Sequence, residues 1–164
     1  MKAMARPSSP SQSLLPNPNL LVLDRIEIDP TQLHLLVHAA QQPVCPVCGQ
    51  VSWSRHSGYR RCLQDLPWQG RAVQLWLTVR RFRCRNQVCP CRIFCERLPG
   101  VTQAHSRQTD RTFEIVRFVG YLAGGRPGQQ LLLRLSLPIS DDTVLRRVRQ
   151  RSGFRLSSGV ALGR

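Results

Sequence analysis

Lysine is nearly absent from this sequence, with Lys2 the single example, and acids are scarce, nine against 24 basic residues for a net charge of +15. Positive charge is therefore carried by arginine, and unevenly. Residues 1–50 balance Lys2, Arg6 and Arg25 against Asp24, Glu27 and Asp29. Residues 51–100 carry ten arginines against Asp65 and Glu96, and residues 101–164 carry eleven against four acids, nets of +8 and +7. A field of that size attracts polyanions, either a nucleic acid or an anionic membrane surface. It exceeds what solubility requires, because uncompensated like charge also destabilises a compact state.

Long apolar runs are missing too. No segment approaches the roughly 18 apolar residues of a spanning helix, so no membrane-spanning segment is read. The opening MKAMARPSSPSQSLLPNPN has neither a continuous apolar stretch nor a small-residue cleavage site, and no secretory signal is expected. The expectation is a cytoplasmic chain, in which stable disulfides are rare.

Cysteine, by contrast, is plentiful. Four of the seven crowd into RRFRCRNQVCPCRIFCERLPG, residues 80–100, together with six arginines. In a reducing compartment these thiols are read as metal ligands or buried side chains. Structural zinc takes four tetrahedral ligands, usually as two close pairs from separate loops. Cys45 and Cys48, in CPVCG, have that spacing, and Gly49 lets nearby amides turn toward the sulfurs. The second pair is open on spacing alone, since Cys84, Cys89, Cys91 and Cys95 offer several pairings. Cys62 and Cys95 read as buried, unligated cysteines. His56, beside Tyr59, reads as a hydrogen-bonding or packing residue. A catalytic thiol needs one cysteine paired with a base, whereas these thiols come as a ligand set.

Pattern divides the chain near residue 102. Residues 1–18, rich in Ser and Pro, read as a disordered start. LLVLDRIEID and QLHLLVHAA read as two strands about the Asp29-Pro30 turn. In RAVQLWLTVRRFRC, Val73, Leu75, Leu77 and Val79 alternate with Gln74, Trp76, Thr78 and Arg80, a half-buried strand entered through Gln69-Gly70. The 35 residues at 49–83 leave room for a hairpin, and RIFCERLPG reads as a short last strand. From Thr109 the period becomes helical: Ile115, Phe118, Val119 and Leu122 form an apolar stripe, Thr109 an N-cap and Gly124-Gly125 a stop. Pro127 opens a second helix, and Ser140 caps a third, DDTVLRRVRQR, with Asp141 and Asp142 in its first turn.

The strings CPVCG, HSGYRRCLQDLPWQG, RRFRCRNQVCPCRIFCERLPG, RQTDRTF and LPISDDTVLRRVR resemble, in order and spacing, the N-terminal region of ISL-three-type insertion-sequence transposases. The resemblance runs from about residue 20 to 151. It implies an α+β architecture: a small zinc-ribbon-like β module (19–102), a helix-turn-helix module (103–151) and a tail (152–164). It implies structural Zn2+ on Cys45, Cys48, Cys84 and Cys89, with Cys91 outside the site. It implies binding to double-stranded DNA at the element's terminal inverted repeats, with the chain itself or a full-length transposase as a further partner. The location implied is the bacterial cytoplasm, at the nucleoid. Full-length members continue into a ribonuclease-H-like domain with an Asp-Asp-Glu triad. Here SGFRLSSGVALGR stands where that domain is expected, so the implied chain is a truncated one that does not catalyse.

In a helix-turn-helix the second helix enters the major groove. With residues 141–151 in that role, Val144, Leu145 and Val148 point inward, and Thr143, Arg146, Arg147, Arg149 and Gln150 face the DNA. Arginine can clamp guanine and glutamine can clamp adenine bidentately. Arg126, Arg134, Arg107 and Arg111 are read as phosphate contacts, as are Arg80, Arg81, Arg83 and Arg85 on the zinc module. The alternative is an interaction module that mediates oligomerisation, with DNA contact secondary.

Overall fold

A computed structural model describes residues 14–150 of the chain. Most of the stretch read as disordered, together with Arg151 and the 152–164 tail, lies outside the described residues. Residues 14–18 differ from that expectation, because Leu15 is buried against the sheet, 2% exposed.

Among the described residues five strands and three helices follow in order: β1 (Leu21–Ile28), β2 (Gln32–Ala39), β3 (Arg55–Trp68), β4 (Arg71–Arg83), β5 (Ile93–Cys95), α1 (Asp110–Ala123), α2 (Gly125–Arg134) and α3 (Asp141–Arg149). This is an α+β chain. The sheet order is β1-β2-β4-β3, with β5 also on β4. Along one edge β4 pairs β3 over nearly its whole length. Its other edge is shared by β2, parallel at residues 72–78, and β5, antiparallel at 81–83. The β3–β4 hairpin closes through Gln69 (φ 48) and Gly70 (φ 73). Two consecutive positive φ values are what a two-residue turn needs to match strand twist.

β4 alternates as its sequence predicts: Val73, Leu75, Leu77 and Val79 are buried. Their registered neighbours Leu33, Leu35 and Val37 on β2 and Leu63 on β3 complete one apolar face. Leu15, Leu98 and Val101 cover it. Each buried leucine contributes about 1.5–3 kcal/mol over an exposed one, so this face supplies most of the module's cohesion. The opposite register carries Cys62 outward, paired with Trp76. Cys62 is therefore exposed, which corrects its reading as a buried thiol. Cys95 packs half-buried on the core.

The three helices pack on one another around Val116, Val119, Leu132, Leu137, Ile139 and Val144. Thr109 caps α1 by accepting from the Thr112 amide, and Ser140 caps α3 by accepting from the Thr143 amide. The stripe on α1 is corrected. Of the residues expected inward, Val119 is buried, whereas Ile115, Phe118 and Leu122 lie outside, Leu122 at 72% exposure. The buried face is Thr112, Phe113, Val116, Val119 and Gly120. Its reason is Gly120: a Cβ there would sit 2.6 Å from Val148 Cγ2 and 2.9 Å from Val144 Cγ1, so the bare backbone receives α3.

The helices are tied to the sheet by a buried acid. Asp65 on β3 is 0% exposed. Its Oδ1 accepts from Arg111 Nε (2.8 Å) and Thr109 Oγ1 (2.7 Å), and its Oδ2 from Arg111 Nη2 (2.5 Å). Arg111 Nη2 also donates to the Leu14 carbonyl (2.8 Å). Arg111, expected to touch phosphate, is committed to this pair instead. Removing one partner of a buried pair leaves an uncompensated charge at a cost of about 3–5 kcal/mol. Arg111→Ala is therefore expected to lower unfolding free energy by about 3 kcal/mol, the low end because Arg111 is partly exposed. Arg117→Ala, which loses an i,i+3 pair with Glu114 and a surface contact with the Tyr121 ring, is expected to cost about 1 kcal/mol. Urea unfolding of the two variants side by side checks this, and equal losses would remove Asp65 from its anchoring role.

Candidate metal centre

Two loops deliver the cysteines. The first, after β2, is closed by the Val44–Val51 bridge, with Cys45 N–H donating to Gln50 (2.9 Å) and Gly49 N–H to Cys45 (2.9 Å). Gly49 has φ 70, a left-handed conformation that favours glycine. The second joins β4 to β5: Cys84 N–H donates to the Arg92 carbonyl (3.0 Å) and Cys89 N–H to the Asn86 carbonyl (3.2 Å). Length and twist of the β3–β4 hairpin carry this second loop back to the first.

The sulfurs of Cys45, Cys48, Cys84 and Cys89 all lie within 4.8 Å of one another. Sγ–Sγ separations are 4.0 Å for Cys45–Cys89 and 3.6 Å for Cys48–Cys84. Four sulfurs each about 2.3 Å from a central zinc stand about 3.8 Å apart, so the cluster has the size of a zinc tetrahedron. It is too open for disulfides, which need about 2.05 Å. Cys45 and Cys89 are buried with Phe82 and Phe94, whose ring centroids are 6.0 Å apart. Cys91 packs against this cluster, its thiol directed to the Ile93 carbonyl at 3.6 Å. His56 is exposed and bonds Ser57 Oγ, outside the centre.

Cys45, Cys84 and Cys89 hold protons unequally. The Cys48 backbone N–H, which stabilises a thiolate, draws Cys45 down to about 6. Against the pull of the Asn86 N–H, burial and the sulfurs of Cys48, Cys45 and Cys89 push Cys84 up to about 12. Burial likewise raises Cys89. Four sulfurs this close together are suited to a dication, which stabilises all four thiolates.

The arginines sort into two groups. Arg80 is engaged with Glu96, Nη2 to Oε1 at 2.5 Å, and with the Ala39 carbonyl. Arg81 is exposed and stacks over Tyr59, 5.1 Å from the ring centre; Arg83, Arg85 and Arg92 are exposed. On α3, Arg146, Arg149 and Gln150 are exposed, as expected. Arg147 departs from its outward reading. It lies over the Phe113 ring at 4.9 Å and donates to Gln108 Oε1 (3.0 Å) and Gln150 Oε1 (2.8 Å). Thr143 is half-buried and its hydroxyl accepts from Ser140, so capping occupies it. Leu145, expected inward, is 40% exposed although it packs against Gly125. Arg126 is open to solvent, 4.0 Å from Asp141, and Arg134 is exposed.

Residues 41–96 match a family model described as the zinc-finger of transposase IS204/IS1001/IS1096/IS1165. No curated protein and no solved structure matches the chain. The matched segment contains all four clustered cysteines, and this centre is a structural zinc site. No helix among the described residues is long and apolar enough to cross a membrane.

One zinc per chain is expected, with Cys45→Ser losing it and Cys91→Ser keeping it, measured by metal analysis of the purified variants. Zinc binds thiolates, and the raised Cys84 and Cys89 thiols must give up their protons to it. Apparent affinity should therefore rise with pH near neutrality. Competition with a chromophoric chelator at several pH values reads this slope. A flat profile would remove the protonated thiols from the site.

Proposed function

We propose that this chain, whose residues 41–96 form the zinc finger of the ISL-three-type transposase family, binds double-stranded DNA at the terminal inverted repeats of an insertion sequence. The single observation that carries the reading is the union of that zinc centre with exposed arginines on β4, on the β4–β5 loop and on α3. Zinc holds two loops together; it supplies charge and rigidity to the fold and no open position for catalysis.

In this reading α2 and α3 act as a helix-turn-helix. What supports it is a short connection, residues 135–140, between two helices packed on α1, and an outer α3 face bearing Arg146, Arg149 and Gln150. Those three are the base readers, while Arg147 holds α3 against Phe113 and Gln108. Arg81, Arg126 and Arg134 supply sequence-blind phosphate contacts. DNA as partner places the chain in the cytoplasm, at the nucleoid. We assign binding and not strand cleavage to the described residues. In support, most acids are paired with bases: Asp24 with His38, Asp29 with His34, Asp65 with Arg111, Glu96 with Arg80 and Glu114 with Arg117.

Base contacts discriminate and phosphate contacts do not. Arg146→Ala is expected to reduce preference for the cognate end by about 1–3 kcal/mol. Arg81→Ala should weaken every duplex alike and lower the salt slope by about one unit. Titrations on cognate and scrambled duplexes at several salt concentrations separate the two. An unchanged cognate-to-scrambled ratio for both Arg146→Ala and Arg149→Ala would take the reading function away from α3.

A second reading, self-association, is favoured by one specific feature. Ile115, Phe118 and Leu122 form an outward apolar stripe on α1. Its charged neighbours Arg111 and Glu114 are paired with Asp65 and Arg117, so the stripe itself brings little unpaired charge between two copies. Phe118→Asp is expected to shift a dimer to monomer in sedimentation equilibrium. A monomeric parent protein would dismiss the stripe as an interface.

A further inference from the structure

Trp53 is the most exposed aromatic side chain among the described residues, at 68%. Such a side chain gains by covering its ring, yet this one stays in solvent while its backbone is fixed on both sides. Ser52 N–H donates to the Pro43 carbonyl (3.0 Å), and Ser52 Oγ donates to the Arg83 carbonyl (2.5 Å). Beyond Trp53, the Ser54 carbonyl accepts from Arg83 N–H (2.8 Å). The indole is thus presented outward from a rigid base at the zinc end, next to Arg55 and Arg83, both exposed.

The charge around it is of one sign. Residues 41–60 and 81–95 together hold six arginines (Arg55, Arg60, Arg81, Arg83, Arg85 and Arg92) and no acid. Zinc on four thiolates carries −2, which leaves six less two, or +4, at this end. The matching occupant is a polyanion, and the indole needs one with flat apolar faces. Nucleic acid has both, since base–aromatic stacking and phosphate-tracking arginines are how proteins hold single strands.

Resting on the DNA-binding reading, we infer that Trp53 stacks on an unpaired base, so that the zinc end favours DNA with an unstacked nucleotide over continuous duplex. Inside a duplex both faces of each base are covered by neighbours, and uncovering one costs free energy. At a strand end, nick or single-stranded tail that cost is already met, and the ring finds a free face. Arg55 and Arg83 then lie beside the phosphates flanking that base.

The experiment uses the zinc-loaded full chain and two probes, a blunt fluorescent duplex and the same duplex with a thymine tail. Parent protein is expected to bind the tailed probe more tightly. Trp53→Ala should lose about tenfold or more on the tailed probe and about twofold or less on the blunt one, with an unchanged salt slope because no phosphate contact is removed. Trp53→Phe, which keeps an aromatic face, should retain most of the preference, and equal zinc content in all three proteins checks folding. Equal losses on both probes, or no loss on the tailed one, would overturn the inference while leaving duplex binding intact. Competition by polyglutamate as effective as by thymine strands would also overturn it, in favour of an acidic protein partner. If the parent protein bound neither probe, the DNA-binding reading and the inference would fall together.

Discussion

The carboxylate of Asp65, fully enclosed, accepts from Arg111 and Thr109, and three parts of the chain take their positions from it. An ionised acid taken from water loses several kcal/mol of solvation, so it stays only where donors surround it. Here the donors come from the residue that caps α1 and from the first turn of the same helix. Arg111 reaches on to the Leu14 carbonyl, bringing in the segment before β1. Next to it, Gln64 N–H donates to the Arg107 carbonyl and Thr109 N–H to the Gln64 carbonyl, so the loop before α1 is bridged to β3 at Gln64. The sheet's edge, the N-terminal segment and the helices are thereby fixed to one charge.

Around the other end of the sheet a second charge centre works in the opposite sense. Zinc with four thiolates is a compact −2 centre, and β4 runs arginine-rich into it. Arg80 is spent on Glu96 and the Ala39 carbonyl, fastening β5's end to β2 and β4. Arg83, Arg85 and Arg92 stay exposed. Long-range attraction to the thiolates offsets part of their mutual repulsion. The metal therefore makes the arginine density tolerable as well as closing the loops.

Much of this was readable from residue order. Strands β1, β2 and β4, the caps Thr109 and Ser140, and the turn at Gln69-Gly70 all have local causes: alternation, a hydroxyl before a helix, a glycine where φ is positive. The ligand set was half readable. CPVCG announces itself, but the choice among Cys84, Cys89, Cys91 and Cys95 depends on how a thirteen-residue strand returns its end to the first loop, which spacing does not encode. β3 was hidden because Arg60, Arg61 and Pro67 blur its alternation. The α1 stripe misled for a different reason: helical periodicity counts large apolar residues, whereas the actual contact with α3 is made through Gly120, which has no side chain. Arg111 and Arg147 misled similarly, since charge count cannot tell an arginine aimed at solvent from one enclosed by its own fold.

That last distinction also gives four of the arginines a use that lysine would not serve. Four arginines lie over aromatic rings, Arg80 on Phe82 at 5.7 Å, Arg81 on Tyr59 at 5.1 Å, Arg117 on Tyr121 at 5.4 Å and Arg147 on Phe113 at 4.9 Å. A planar guanidinium stacks on a ring with one surface while its N–H groups reach acceptors in the same plane, as Arg147 does with Gln108 and Gln150. An ammonium group has no flat face to stack and keeps a tighter water shell. In a chain with few aromatic residues, using these four rings as platforms for a cation adds cohesion while leaving positive charge at the surface. Substituting lysine at such positions would preserve the net charge and lose the packing, so arginine here is required by the fold before it is required by any polyanion.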